Sequence, residues 1–345
     1  MNELEKLRRL GFDLGGGKLL PTQGDTAKIA MDAALQTTAN VNVPALFSTF
    51  YSPEVVEILQ APMLSTQIFG EEKRGDWKDT QTLFPVAEYV GRTTAYTDFG
   101  RGPTSDVNVD MCVRDTYKFQ TFIQCGDLEQ ELTAAEKLNL LSMKQEAAAR
   151  AIQIDQNLFN FYGVAGKTIY GLLNDPALPA AITPASISTG ASTTSTAWED
   201  KTGVQIYNDI LALFNQIAGA SAGYIDFNSP LKLCVPPSIF AYLAKVTDLG
   251  VAPVLQTLKG FFPNLEILSI PQMEDEEGVC TAMLIAPEVA GKKTAAFGFL
   301  DKLKTYRVVL EHSSMSQKWG SSTTGCLLFR PFAIARMTGI QKSED

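Results

Sequence analysis

The segment Val107 to Gln124, VNVDMCVRDTYKFQTFIQ, constrains this chain more than any other. Val107, Val109, Met111, Val113, Tyr117, Phe119, Thr121 and Ile123 fall on one face of an extended chain. Asn108, Asp110, Arg114, Thr116, Lys118, Gln120 and Gln124 fall on the other. Alternation held for about eighteen residues predicts about 60 Å of strand, roughly three times the ordinary length. Gln81 to Arg92, QTLFPVAEYVGR, is a matching partner, and Thr93 to Asp106 between them has turn chemistry, so the two are expected to pair as a hairpin. A two-stranded ribbon of that length cannot bury its apolar face within its own domain. It is expected to lie across a neighbouring subunit.

The strongest helical signal follows, from Thr133 to Tyr162. Thr133 and Glu136 have the spacing of a capping box, and Leu138, Leu141, Ala148, Ile152, Phe159 and Tyr162 recur at helical intervals before Gly163 ends the run. Gly166-Lys167-Thr168 comes next and matches the tail of a phosphate-binding loop. Such a loop needs a glycine where this chain has Phe161, and it joins a strand to the start of a helix. Here the triplet leaves a helix, so a helix-to-loop exit is the better reading. A nucleotide-binding enzyme built on these three residues is the alternative from another functional class.

Composition narrows the field. The 345 residues are 45% hydrophobic, enough for a large core, while 29 basic against 38 acidic residues give a net charge of −9. That balance carries no general electrostatic footprint for gripping nucleic acid. Cys112, Cys125, Cys234, Cys280 and Cys326 are scattered without a CxxC pair and read as reduced core residues. The first residues mix charges and lack a signal-peptide core, and no apolar run reaches membrane-helix length, which predicts no membrane and a cytoplasmic site of synthesis. Residues 2–10 fit a short amphipathic helix on Leu4, Leu7 and Leu10, with glycines at 15–17 and a further short helix from Pro53 to Gln60. Residues 1–65 as a whole read as an arm that gains order on another surface.

The remainder mixes helix and strand. Val204 to Ala218 is an amphipathic helix, a further helix follows Pro236 and Pro237, and Leu231–Val235, Leu265–Ile270, Cys280–Ala286, Lys304–Glu311 and Cys326–Met337 read as strands. Thr183 to Thr196 reads as a solvated loop. His312 is the only histidine, which excludes multi-histidine metal sites, and no G-x-S-x-G elbow accompanies it. Glu274, Asp275, Glu276 and Glu277 lack the spaced ligands of a calcium loop. Trp77, Trp198 and Trp319 read as packing anchors. No catalytic, cofactor-binding or metal-binding residue is therefore assigned, no enzymatic activity is expected, and function is placed at surfaces that other copies cover.

Gly126-Asp127-Leu128-Glu129 entering the helix, Lys144 to Asp155 within it, Tyr170-Gly171-Leu172-Leu173-Asn174 after it, and Arg330-Pro331-Phe332-Ala333 near the end resemble, in order and spacing, the major capsid proteins of tailed bacteriophages. Their fold is shared with encapsulin shells. The resemblance implies an α+β fold: an N-terminal arm (1–65), an extended-loop β-hairpin (66–126), a peripheral domain with a long spine helix (127–164 and 305–345) and a mixed α/β axial domain (165–304). It also implies hexamers and pentamers of this chain in an icosahedral shell around phage double-stranded DNA, with scaffolding, portal and decoration proteins as further partners. An encapsulin-like protein compartment is the alternative within the same fold. Some relatives crosslink neighbouring subunits through a lysine and an asparagine; Lys118 or Arg101 on the hairpin invites that comparison, but no motif carries the reaction across and no crosslinking residue is assigned. At most a small N-terminal trim is implied.

Overall fold

In a computed structural model the described residues are 63–135, 139–188, 194–246, 253–275 and 278–341. The helices expected over 2–10 and 53–60 lie outside them, as do Glu136, Leu138, Glu276 and Glu277. The chain divides into two units, Met1–Gln60 with Leu132–Asn139, and Ala61–Glu131 with Leu140–Asp345. Of the first, only Leu132–Ala135, which is helical, and Asn139 are described.

The second unit begins with helix α1 (Ser65–Ile68), strand β1 (Glu71–Lys73) and the strands β2 (Gln81–Val90), β3 (Asp106–Asp115) and β4 (Tyr117–Gly126). Helix α2 (Asp127–Ala135), of which residues 132–135 are counted in the first unit, and helix α3 (Leu140–Tyr162) follow, then β5 (Ile187–Ser188), β6 (Thr194–Ser195), α4 (Gly203–Ala220), β7 (Leu231–Val235), α5 (Pro237–Phe240), α6 (Val254–Phe261) and β8 (Leu265–Ser269). The C-terminal third is strand-rich: β9 (Thr281–Ile285), β10 (Glu288–Val289), β11 (Lys292–Lys293), β12 (Ala295–Phe299), β13 (Lys304–Leu310), β14 (Ser314–Thr323), β15 (Gly325–Leu328) and β16 (Ile334–Thr338).

The main core is a four-stranded sheet in the order β16-β9-β7-β8. Alternation along its strands sends Leu231, Leu233, Val235, Ala282, Leu284, Ala335 and Met337 to one face, against Ile206, Ile210, Leu213, Phe214 and Ile217 of α4 and Val254 and Leu258 of α6. Cys234, Met283, Ile285 and Ile334 point the other way, onto Phe161 of α3, Phe297 of β12 and Cys326 of β15. A sheet covered on both faces has near-continuous apolar strands, and these do. β16 comes from the stretch 305–345 expected to be peripheral, yet it pairs with β9 of this sheet in register from Ile334↔Ile285 to Thr338↔Thr281.

Three expectations for the elements are corrected. The run Val107–Gln124 is two strands in different sheets. β3 pairs with β2 from Gln81↔Asp115 to Val90↔Asp106, whereas β4 pairs with β14 from Tyr117↔Thr323 to Gly126↔Ser314. The break is at Thr116, buried, whose N–H donates to the Thr80 carbonyl at 2.9 Å. Period two specifies alternation but leaves the choice of partner open. The helix expected from Thr133 is likewise two helices, with Asn139 non-helical before α3. The first starts earlier, at Asp127, where Asp127 and Glu129 in its opening turn suit the positive end of the helix dipole. Thr133 is in its last turn instead of at an N-cap. Finally, Cys326–Met337 is split by a 3₁₀ turn at Pro331–Ala333 into β15 and β16, which join different sheets.

Candidate functional site

β2 and β3 form a hairpin of their own sheet, closed by residues 91–105. Their register places four pairs side by side on one face: Leu83 with Val113, Pro85 with Met111, Ala87 with Val109 and Tyr89 with Val107. All eight are apolar or aromatic and all are exposed, Leu83 at 61%, Tyr89 at 81%, Val109 at 60% and Met111 at 57%. Pro85 fits here because each strand has one unpaired edge, so the missing N–H breaks no ladder. The opposite face carries Glu88, Asn108, Asp106 and Asp110, with Phe84 buried at the root on Phe329, ring centroids 5.8 Å apart. From Pro85 to Met111 every residue is exposed, including Tyr96 and Phe99 in the connecting loop. Covering a side chain of the Val, Leu or Met type contributes about 1.5–3 kcal/mol, so a face of this kind is a strong driving force for association.

Tyr117 and Phe119, expected on this same free face, are elsewhere. In β4 they stack on each other and meet Phe159 of α3 edge-on, at 5.4 and 5.1 Å. They belong to the packing between the β13-β14-β4 sheet and α3. The kink at Thr116 separates the two populations of apolar residues that the sequence runs together.

The hairpin is rooted on the segment leaving α3. Gly163 and Gly166 have φ of 66° and 78°, which glycine adopts without strain. The chain folds back at once: the Val164 N–H donates to the Ile169 carbonyl at 3.0 Å, and Gly171 passes so close to α3 that a Cβ on it would meet the Phe161 carbonyl at 2.2 Å. Leu172 and Leu173 then donate their N–H groups to the carbonyls of Asn160 and Phe161, and the Asn174 amide donates to Tyr162 at 2.6 Å. Gly171-Leu172-Leu173-Asn174 is thus the cap that satisfies the last carbonyls of the spine helix. The Lys167 ammonium lies 5.9 Å from the centre of the Tyr117 ring, and Thr168 is hydrogen-bonded to Asp115. The triplet Gly166-Lys167-Thr168 follows the C-terminal, negative end of α3, the wrong end for a phosphate.

The other singled-out residues do not converge. His312 is exposed in the turn between β13 and β14. Glu274 accepts from the Ser238 hydroxyl at 2.7 Å, and among the described residues no cluster of His, Cys, Asp or Glu could hold a metal. Cys125, Cys234, Cys280 and Cys326 are buried and Cys112 half-buried, all unbridged. Burial pushes the Cys234 thiol up to about 12 and raises Cys326 as well, which keeps both as inert thiols. Trp198 is fully buried, its indole N–H donating to Asp209 at 3.0 Å; Trp77 lies over Gly320, whose missing Cβ makes room for it.

The comparisons with known proteins follow the fold. The profile of the family described as Pa193 gp26 major capsid protein matches residues 34–339. No curated protein matches the chain. Among solved structures the chain is similar to the capsid of Myoviridae phage XM1, with 13% identity and a TM-score of 0.72 over 87% of this chain and 99% of that one. It is similar to chains from Mycobacterium phage Ogopogo (12% identity, TM-score 0.55, 86% and 99% covered) and Gordonia phage Cozz (12%, 0.55, 88% and 98%). At these identities the likeness is one of fold, and the fold is that of phage capsid subunits. With residues 34–339 matched, this chain belongs to the Pa193 gp26 major capsid protein family.

Proposed function

We propose that this capsid protein assembles by laying the apolar face of its β2–β3 hairpin on a neighbouring copy. The observation that carries this is the set of four cross-strand pairs from Leu83–Val113 to Tyr89–Val107, apolar throughout and exposed in the isolated chain. A hairpin face meeting a different surface of the next copy is a heterologous contact, which closes into rings when the rotation between copies allows it. Hexameric and pentameric capsomers, joined in an icosahedral shell around double-stranded DNA, are the closed assembly proposed. The net charge of −9 supports a shell that encloses DNA without gripping it. The division into arm, extended loop, peripheral and axial domains belongs to the same proposal, with β16 shared into the axial sheet. So do assembly in the host bacterial cytoplasm, scaffolding, portal and decoration partners, and work done by interfaces instead of catalysis.

The test is Val109→Asp with Met111→Asp. Each places a charge in the face that must be covered, where an unpaired charge costs several kcal/mol, and neither touches the body of the subunit. The expected result is a folded, soluble subunit that yields no shells by electron microscopy. Normal shells from the double variant would remove the hairpin from assembly.

A further inference from the structure

The geometry points to a clamp, made by the segment just after the spine helix, that sets the direction in which the hairpin leaves the body. It rests on the reading of the hairpin as the assembly arm.

Beyond Phe84 on Phe329, the Thr82 hydroxyl on the Arg74 carbonyl and the direct run of β3 into β4 at Thr116, the root of the hairpin is held by residues 168–175. Asp115, the last residue of β3, exchanges two hydrogen bonds with Thr168. The Asp115 N–H donates to the Thr168 hydroxyl and the Thr168 N–H to the Asp115 carboxylate, both at 3.2 Å. The other carboxylate oxygen accepts from the Gln81 amide at 3.1 Å, which ties in the opposite strand. One residue earlier, Arg114 pairs with Asp175 at 3.0 Å and lies over the Tyr170 ring at 4.7 Å; the two side chains are 15% and 1% exposed.

What holds the hairpin is itself held. Leu172, Leu173 and Asn174 are bonded to the end of α3, and the Tyr170 carbonyl accepts from the Cys326 N–H of β15 at 2.9 Å. Orientation therefore passes from α3 through residues 168–175 to both strands of the hairpin. Thr168, Asp115 and Arg114 are positioning residues: Arg114 is on the opposite face from the four apolar pairs and Asp115 ends their face at its root, so none of the three is among those pairs, yet they decide where that face points. A ring of copies closes only if that direction repeats from one to the next.

The test uses the full chain with Thr168→Val, Asp115→Ala and the conservative Thr168→Ser. Amide exchange is read by mass spectrometry over residues 80–84 and 112–116 of the unassembled subunit, and shell diameters are read by electron microscopy. Thr168→Val, which loses one modest hydrogen bond, is expected to speed exchange at the root about fivefold, and Asp115→Ala, which loses the bonds from the Thr168 N–H and the Gln81 amide, by more than that, each with a melting temperature within a few degrees of the parent. Their shells are expected to spread over several diameters or fail to close, and Thr168→Ser to restore the parent distribution. Parent-like exchange in both Thr168→Val and Asp115→Ala would overturn the clamp, and so would faster exchange with shells of unchanged diameter. Val109→Asp with Met111→Asp, run alongside, keeps the two readings apart. Normal shells from that variant count against the hairpin as the assembly arm, and the clamp is then decided by the exchange data.

Discussion

The β2–β3 hairpin and the β16-β9-β7-β8 sheet are built from strands of comparable apolar content, and their fates are opposite. In the sheet both faces are covered from within the chain, by α4 and α6 on one side and by Phe161, Phe297 and Cys326 on the other. In the hairpin, no residue from Pro85 to Met111 is covered. Hydrophobic content therefore says that a surface must be buried, and leaves open by what. Where the same chain supplies the cover, the result is stability; where it does not, the proposed cover is a second copy.

Substitutions can break that comparison, and the largest effect is expected inside the core around α4. Asp209 accepts from Lys201 at 2.5 Å and from the Trp198 indole, both buried, and from the Ala185 N–H at the edge of the core. Asp209→Ala leaves Lys201 charged and unpaired, at a cost of about 3–5 kcal/mol, and denaturant unfolding of the subunit should show the loss or yield no folded protein. Phe119→Asp comes next. Its ring packs on Phe159, so the subunit should lose about 3 kcal/mol or more before assembly is reached at all. Val113→Asp, six residues earlier and of the same parity, should do the reverse. Subunit stability should stay within about 0.5 kcal/mol of the parent while sedimentation shows no shells. If Phe119→Asp and Val113→Asp behave alike, the division at Thr116 has no functional weight.

The smallest effect is at the root itself. The Asp115 carboxyl is held below its usual 3.8 by the Gln81 amide and by Thr168. A lowered folded-state value means that the contribution is present above the unfolded-state pKa and is lost as pH falls through the folded one, here below about 3.8. An NMR titration of the Asp115 carboxyl should place its midpoint under that figure, and Thr168→Val should move it upward. A midpoint that ignores the substitution would mean that the Thr168 hydroxyl does not act on the Asp115 carboxyl in solution.

Several parts were legible in the sequence for physical reasons. The hairpin strands show period two because successive side chains take opposite faces, α4 shows helical period because one stripe faces the sheet, and Gly163 marks the end of α3 because a left-handed turn was needed there. Other parts left no local trace. β14, SMSQKWGSST, is polar and small, and it is a strand because β4 and β13 flank it; its end at Ser321–Thr323 is nonetheless fully buried. Nothing in Thr168 or Asp115 alone announces their pairing across more than fifty residues of chain.

Alternation, charge balance and the glycines by themselves determined that this chain carries long strands, one dominant helix and a surface too apolar to stay uncovered. These are properties of neighbours along the chain, set by backbone geometry and side-chain polarity. Tertiary structure alone decided that the long alternating run breaks at Thr116, that its second half packs on α3 while its first half stays free, and that Gly166-Lys167-Thr168 meets the hairpin root. Those outcomes depend on which distant segments arrive to pair, and a local period contains no record of its partner.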